Sequence, residues 1–290
     1  MTAFLRLEDL LADPSLLEPP PVVIPRLAWA GRLTLLAAPE KSGKSTLVGQ
    51  AVAAKATGGE FLGERIPQGT VLWLGVDEPL NDIVRRFDRY GARDHIVIGQ
   101  AIPGAQELRE AIGEINAAAV VIDTLAEFAR GFVDDYNAAS QWVGLLGTLR
   151  GVLQATGAGG ILLHHTVKGG RTYRDSTQIG AGVDAILEMT PADEDPAVRV
   201  VRTRGRMTMA DFRMRFTDPW YQLDGTELPL ELRVYRVIVS NPGMGRARVR
   251  GAVYGSTAVD RALADLCSRG AIEDRRNGST AHAFFPRPAE

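Results

Sequence analysis

The sequence predicts an α/β protein built on a mostly parallel β-sheet. Short apolar runs of strand length recur along the chain, and amphipathic stretches of helical length separate several of them. Buried strands that alternate with amphipathic helices are typical of a parallel sheet with helices on both faces. The expected strands are Leu33–Ala38, Thr70–Val76, Ala118–Ile122, Gly160–Leu163 and Ala185–Glu188, and the expected helices include Leu80–Tyr90, Ala105–Ala117 and Ser140–Thr156.

The composition indicates a folded globular protein with one large domain or two unequal ones. The chain has 290 residues, of which 45% are hydrophobic and 23% charged. No apolar run approaches the roughly 20 residues needed to cross a bilayer, and residues 1–6 lack the basic and apolar regions of a signal peptide. The single cysteine, Cys267, excludes an intrachain disulfide and a cysteine-built zinc site. We therefore expect a cytoplasmic protein with no membrane partner.

Linker signals divide the chain into three parts. Glu18–Pro21 is a proline-rich extended linker, and Pro219–Pro229 reads as a second linker. Just before this second linker, Val198–Val201 and Ala210–Phe216 predict a β-ribbon. The expected parts are an N-terminal adaptor over residues 1–25, a main domain over residues 26–222 and a small domain over residues 230–288.

The most informative segment is a buried strand, a tight loop and a helix that opens on Gly43-Lys44-Ser45-Thr46. In this context a P-loop binds a nucleoside triphosphate, because N–H groups of the loop and of the helix N-terminus point at the phosphates. Lys44 would reach the β- and γ-phosphates of ATP, and the Ser45 hydroxyl would bind Mg²⁺. Ala38 stands where the first glycine of the motif is usual, and the alternative interpretation is a surface turn before a helix. The predicted nucleotide-binding residues are Ala38, Pro39, Glu40, Lys41, Ser42, Gly43, Lys44, Ser45 and Thr46.

A second apolar strand, Ala118–Ile122, ends at Asp123. A carboxylate at the carboxyl end of a parallel strand would lie beside the P-loop, where it could hold the Mg²⁺ shell together with Ser45. The alternative is that Asp123 caps the helix that follows it.

Two acids, Asp77 and Glu78, follow the strand Thr70–Val76. ATP hydrolysis needs a group that orients or deprotonates the attacking water, and a carboxylate at this edge of the sheet can do so. Alternatively, either acid stabilises the dipole of the next helix. The sequence does not decide which of the two acids would act.

The strand Gly160–Leu163 leads into His164 and His165. Neighbouring residues on a strand point to opposite faces, so the two imidazoles cannot readily share a metal ion. A neutral imidazole that senses the γ-phosphate explains the pair better, since it can hydrogen-bond a phosphate oxygen and respond to its loss. A purely structural pair is the other interpretation.

In this order, the pieces resemble the RecA-like ATPases, specifically the hexameric replicative helicases of the plasmid RepA and DnaB type. The resemblance covers about residues 20–222, and it implies a RecA-like P-loop fold, Mg²⁺-dependent ATP hydrolysis and assembly into a ring, as a hexamer. It further implies that Asp77 occupies the place of the catalytic glutamate and His165 that of the γ-phosphate sensor. The residues that carry it are Ala38–Thr46, Asp77-Glu78-Pro79, Val121–Thr124, His164–Lys168, and Ser176, Gly180, Gly182 and Asp184 within Arg171–Asp184.

The stretch Val200–Gly205 resembles the basic fingers that these ATPases insert into the nucleotide site of a neighbouring subunit. Arg202 and Arg204 alternate along the expected strand, so both present one face. An arginine inserted in this way stabilises charge on the γ-phosphate, and the resemblance therefore implies that only an assembled ring completes the site. The alternative is an exposed basic ribbon.

The net charge of −2 hides an asymmetry. From Leu232 to Glu290 there are ten arginines, no lysine and five acids, a net charge of +5, which leaves −7 for the rest of the chain. Three expected helices and two strands around an Asn277-Gly278 turn resemble a winged helix-turn-helix, which suggests DNA as a partner. Winged helices also mediate protein contacts, and a solvated arginine-rich face is a further alternative. The predicted DNA-binding residues are Arg246, Arg248, Arg261, Arg275 and Arg276.

These observations predict an ATP-hydrolysing DNA helicase or translocase of the RepA-like type, acting in the replication of a plasmid, phage or mobile element. One alternative is a DNA-binding regulatory or loader ATPase that does not unwind DNA. Another is a non-enzymatic DNA-binding module gated by nucleotide. The predicted catalytic residues are Lys44, Asp77, Glu78, Asp123, His165, Arg202 and Arg204.

Overall fold

The computed structural model describes residues 6–136, 138–166, 177–207, 210–225, 230–240, 242–252, 257–275 and 282–286. The chain divides into two compact units, Met1–Asp224 and Gly225–Glu290. Among the described residues, no helix is long and apolar enough to span a membrane.

The first unit alternates strands and helices along most of its length. Its described helices are α1 (Leu7–Leu11), α2 (Lys44–Thr57), α3 (Leu80–Arg89), α4 (Ala105–Glu114), α5 (Leu125–Ala129), α6 (Ala139–Thr156) and α7 (Thr177–Ala181), with a 3-10 helix at Pro14–Leu17. Its described strands are β1 (Val22–Ile24), β2 (Ala28–Trp29), β3 (Leu33–Ala38), β4 (Glu60–Phe61), β5 (Glu64–Arg65), β6 (Thr70–Gly75), β7 (Ile96–Gly99), β8 (Ala117–Asp123), β9 (Gly159–His165), β10 (Ala185–Pro191), β11 (Val198–Gly205), β12 (Phe212–Thr217) and β13 (Trp220–Leu223).

The main sheet of the first unit is mostly parallel, as predicted. Its strand order is β13-β12-β11-β10-β3-β9-β8-β6-β7. Every pairing from β10 to β7 is parallel, whereas β11, β12 and β13 extend the sheet beyond β10 by antiparallel pairing. The expected α/β fold is therefore confirmed, and the predicted β-ribbon is the β11–β12 pair.

The apolar runs form strands because the sheet is covered on both faces. Each residue of β3 is buried, and successive residues pack on opposite sides of the sheet. Leu36 packs in the cluster that contains Leu47 of α2, and Leu35 packs in the cluster that contains Trp142 of α6. Covered faces of this kind are typical of parallel strands joined by helical crossovers.

The linker predicted over Pro219–Pro229 is wrong for its first part, because Trp220–Leu223 forms strand β13. The Gln50 side chain of α2 accepts a hydrogen bond from the Tyr221 backbone N–H at 2.7 Å and donates one to the Tyr221 carbonyl at 2.9 Å. Tyr221 itself is only 3% exposed. These contacts from a distant helix stabilise a strand next to proline and glycine residues that favour a turn, and residues 226–229 lie outside the described part.

Five further strands of the described residues were not predicted, namely β1, β2, β4, β5 and β7. Strand β7 lies at the edge of the main sheet and its residues are partly exposed, so it lacks the fully buried run of the central strands. Strand β1 falls within the expected adaptor over residues 1–25 and pairs with β2. Edge and two-stranded pairings leave a weaker apolar signal in the sequence than strands that are buried on both faces.

The second unit contains three described helices and an antiparallel strand pair. Val259, Leu263 and Leu266 are buried in the apolar core of the unit, and Cys267 packs against this core. Gly270 follows the third helix with φ +70°, the left-handed conformation expected at the end of a helix. The predicted Asn277-Gly278 turn lies outside the described residues. The elements are α8 (Leu230–Ser240), α9 (Arg246–Ala252), α10 (Thr257–Ser268), β14 (Ile272–Asp274) and β15 (Phe284–Pro286).

Candidate functional site

The predicted site residues of the first unit lie at one edge of the main sheet, where the parallel strands end. The register pairs Ala38 at the end of β3 with His165 at the end of β9. It also pairs Gly75 at the end of β6 with Asp123 at the end of β8. The loop after β3, the acids after β6, Asp123 and His165 are thereby brought together from segments that are far apart in sequence.

The loop between β3 and α2 has the backbone conformation of an anion-binding loop. Positive φ angles fall at Lys41, with φ +57°, and at Gly43, with φ +95°. Ala38 remains in the strand and is completely buried, so the absence of the usual glycine at this position requires no unusual backbone angle. Helix α2 begins directly after Gly43, and its N-terminal N–H groups therefore face the loop.

Lys44 is folded back onto the loop. Its Nζ donates hydrogen bonds to the carbonyl oxygens of Ala38 and Pro39, each at 3.2 Å, and lies 3.1 Å from His165 Nδ1. Burial lowers the pKa of the Lys44 ammonium, against the charges of Asp123, Glu40 and Asp77. The Lys44 ammonium is therefore held at the centre of the loop by two carbonyl groups and an imidazole. A negatively charged acceptor could replace these partners.

Asp123 is the most deeply buried acid of the site. Its exposed fraction is 4%, and burial raises its pKa to about 6. The hydrogen bond from the Ser45 hydroxyl and the charge of Arg86 oppose this rise. The helix cap suggested as the alternative role of Asp123 belongs to Thr124, whose Oγ1 accepts a hydrogen bond from the Glu127 N–H at 3.5 Å.

The acids Asp77 and Glu78 differ in their surroundings. Asp77 is exposed, and its Oδ2 accepts a hydrogen bond from Thr124 Oγ1 at 3.4 Å. Glu78 forms an ion pair with Arg86 of α3, and the Arg86 guanidinium lies over the Trp73 ring, 5.5 Å from its centroid. The carboxylate of Glu78 is therefore engaged within the chain, whereas Asp77 is accessible from solvent.

Several residues of the site were missed by the sequence analysis. Arg86 lies eight residues after Glu78, which precedes α3, so no helical spacing pointed to their ion pair. Arg199 and Tyr221 contact the carbonyl of Ser42 in the loop. No sequence signal pointed to these two residues, because more than 150 positions separate them from the loop.

Arg202 and Arg204 lie on strand β11, and both are exposed. Arg204 forms an ion pair with Glu188 of β10. The register places Arg204 opposite Ile186, which pairs with Leu35 in the middle of β3. Arg204 is therefore level with the middle of β3 and not with the end that carries the loop.

The predicted DNA-binding residues of the second unit fall into two groups. Arg246 forms an ion pair with Asp260, and Arg275 forms one with Glu273. Arg248 and Arg261 are exposed and make no ion pair with the described residues. Arg276 lies outside the described part of the chain.

The described residues contain no group of three or more His, Cys, Asp or Glu side chains that could hold a metal ion by themselves. This leaves Ser45 and Asp123, which Mg²⁺ could bind together with phosphate oxygens and water. An apolar cavity of about 300 Å³ between α4, α5 and α6 contains none of the predicted site residues.

Comparison with known families gives one match. The family model described as an AAA domain matches residues 3–171, more than half of the chain. The matched range includes the loop after β3, both acids after β6, Asp123 and the two histidines at the end of β9. No curated protein matches the chain.

The burial of Asp123 predicts a pH-dependent stability of the protein free of nucleotide and metal. Its folded-state pKa of about 6 lies above the value of about 3.9 expected in the unfolded chain. The free energy of unfolding should therefore decrease as the pH rises from about 4 to 6, by up to roughly 3 kcal/mol. In EDTA at pH 7.5, Asp123→Asn should melt several degrees above the wild type, and this difference should vanish near pH 4.

The control for this measurement is Asp82→Asn, which removes an exposed acid of α3. It should melt like the wild type at both pH values. If Asp123→Asn followed the pH dependence of the wild type, the burial of Asp123 would not carry this energetic cost.

Proposed function

Because the chain belongs to the AAA domain family of P-loop ATPases, we propose that it is an ATP-hydrolysing DNA helicase or translocase of the RepA-like type. Its work would be the replication of a plasmid, phage or mobile element. The observation that carries the proposal is the convergence of Lys44, Ser45, Asp77, Asp123 and His165 at one edge of the sheet.

The loop between β3 and α2 suits a triphosphate. The Ser42 Oγ atom is buried within it and has no hydrogen-bond partner among the described residues. The Lys44 ammonium is bound only loosely, at 3.1 to 3.2 Å from its neighbours. Phosphate oxygens would supply acceptors for both groups and for the N–H groups at the start of α2.

Ser45 and Asp123 are the residues that would hold Mg²⁺. Bound there, Mg²⁺ would neutralise charge on the β- and γ-phosphate oxygens. Ser45 lies in the first turn of α2, and its hydroxyl lowers the pKa of Asp123 against the effect of burial, which indicates that the two side chains lie close together. Ionisation of Asp123 is costly in the protein without a cation because the site is buried, and this favours uptake of a divalent cation together with nucleotide.

Asp77 is our choice for the group that orients the attacking water. It is exposed at the sheet edge beside Thr124, whereas Glu78 is held by Arg86. His165 would sense the γ-phosphate through Lys44, since loss of the phosphate returns the ammonium to its contact with Nδ1. Strand β9 would carry that change into the sheet.

The second unit would bind DNA. Its three helices and strand pair are compatible with a winged helix-turn-helix, and Arg248 and Arg261 offer exposed guanidinium groups. Arg275, near the described end of β14, would contact phosphate or the minor groove. In a ring, Arg202 and Arg204 of one subunit would lie at the nucleotide of the next subunit.

The central test is an assay of ATP hydrolysis and DNA strand displacement on the purified protein. The wild type should hydrolyse ATP with Mg²⁺, faster in the presence of DNA, and displace a labelled strand. Lys44→Ala should lose both activities, because its ammonium would no longer stabilise the triphosphate. Arg93→Ala, which removes an exposed ion pair with Asp88, should keep both.

Hydrolysis without displacement would support the regulatory or loader ATPase instead of the helicase. Binding of ATP without turnover would support the nucleotide-gated module. Either result would contradict the proposal at a different step.

The ring can be tested by complementation between two inactive variants. Arg204→Ala should bind ATP normally but lose most of its turnover, because the arginine acts on the neighbouring site. A mixture with Lys44→Ala should regain activity, since an intact loop on one subunit then meets an intact Arg204 on the next. No recovery in the mixture, or full turnover by Arg204→Ala alone, would refute the trans role.

The DNA contact can be tested through its salt dependence. Replacing Arg248 and Arg261 together with alanine should weaken duplex binding and lower the slope of log K against log salt by about 2, one for each lost phosphate contact. The control Arg269→Ala removes an arginine that is already paired with Glu231, and its slope should change less. Equal slopes for both variants would favour a protein partner.

A further inference from the structure

Two strands in the antiparallel part of the main sheet, β11 and β13, contact the loop between β3 and α2 at a single carbonyl group, that of Ser42. Arg199, on β11, donates a hydrogen bond from Nε to the Ser42 carbonyl at 2.8 Å. The Tyr221 hydroxyl, from β13, donates to the same oxygen at 3.4 Å. Two elements outside the strand–loop–helix motif therefore converge on one peptide group inside it.

The Ser42 carbonyl belongs to the peptide bond that carries the Gly43 N–H. This peptide is trans, so its carbonyl and its N–H point in opposite directions. When Arg199 and Tyr221 hold the carbonyl on the β11 side, the Gly43 N–H is aimed the other way, into the loop. A guanidinium at the carbonyl also polarises the peptide, which strengthens its N–H as a donor.

Arg199 and Tyr221 are themselves held in place by hydrogen bonds. Arg199 donates from Nη1 to the carbonyls of Pro196 at 2.5 Å and Val198 at 3.1 Å. The backbone of Tyr221 is bound on both its N–H and its carbonyl by the Gln50 side chain. The carbonyl of Ser42 thus meets two donors whose own positions are set by the sheet and by α2.

The fit also explains why residue 43 is glycine. A Cβ atom at Gly43 would lie 2.1 Å from the Tyr221 hydroxyl, and the φ angle of +95° is one that other residues rarely adopt. The tyrosine therefore packs directly against the loop backbone, and the loop has little room to rotate the Ser42–Gly43 peptide.

We propose that Arg199 and Tyr221 are positioning residues that orient and polarise the Ser42–Gly43 peptide, so that the Gly43 N–H binds the phosphates of the nucleotide. The inference rests on the proposed function, because it assumes that nucleotide binds at this loop. It adds that the affinity for nucleotide depends on β11 and β13, which lie outside the P-loop motif.

The test is calorimetric titration of ADP and of ATPγS, with Mg²⁺, into the wild type and five variants, one of which is Lys44→Ala. Arg199→Ala should weaken binding of both nucleotides about tenfold or more, because it removes a hydrogen bond from a charged donor. Arg199→Lys keeps the charge and should recover part of the loss. Tyr221→Phe should lose only a few-fold, because the hydrogen bond from its hydroxyl is long.

The matched control is Arg215→Ala, on strand β12 of the same antiparallel part of the sheet. Arg215 forms ion pairs with Asp195 and Asp224 and makes no hydrogen bond or ion pair with the described residues of the loop. Its affinity for nucleotide should stay at the wild-type value. The melting temperatures of the Arg199→Ala and Arg215→Ala proteins, measured without nucleotide, should agree within about 2 °C, which would separate positioning of the loop from general destabilisation.

Three results would overturn the inference. Arg199→Ala could bind nucleotide as tightly as the wild type, or Arg199→Ala and Arg215→Ala could weaken binding equally. In both cases the proposed function would stand if the wild type binds nucleotide and Lys44→Ala does not. A wild type that binds neither ADP nor ATPγS would overturn the inference and the proposed function together.

Discussion

The parallel pairing of β3, β9, β8 and β6 is the constraint on which the rest of the structure depends. Parallel strands end at the same edge, so every residue that follows a strand end is delivered to one place. A shift of one residue in any of these pairings would turn its side chains to the other face of the sheet. The packing opposes such a shift, because side chains on the two faces fit different neighbours, Leu36 in the cluster with Leu47 of α2 and Leu35 in the cluster with Trp142 of α6.

The site assembled at this edge combines groups that burial makes energetically expensive. Burial raises the pKa of Asp123 and lowers that of Lys44, so each disfavours its own charged form. The charge of Asp123 offsets part of the cost at Lys44, and the Ser45 hydroxyl together with Arg86 offsets part of the cost at Asp123. A magnesium nucleotide would bring a cation to Asp123 and negative phosphate charge to Lys44. The geometry of the site and the family membership therefore both support nucleotide binding.

In the antiparallel part of the sheet, strand β11 carries arginines that have different surroundings. Strand β11 presents Arg199 to the loop of its own subunit and exposes Arg202 and Arg204. In the proposed ring, β11 would thus contact the nucleotide sites of two successive subunits. Its antiparallel pairing with β10 over seven residue pairs holds these arginines at fixed spacing.

Much of the fold and part of the site could be predicted from the sequence because their signals are local. The apolar run of β3, the loop with Gly43 and Lys44, and the acid at the end of β8 each lie within a few residues of one another. Short-range chemistry, namely burial, turn conformation and helix start, therefore predicts the central strands and the loop that leads into α2.

Only the tertiary structure decided the features that depend on distant partners. The ion pair with Arg86 distinguishes Glu78 from Asp77. The register of β11 places Arg204 beside the middle of β3 and away from the loop. Strand β13 exists because Gln50, in a helix far away along the chain, satisfies both backbone groups of Tyr221. A hydrogen bond or ion pair between remote residues has no fixed sequence spacing, so it becomes visible only when the chain has folded and the two groups meet.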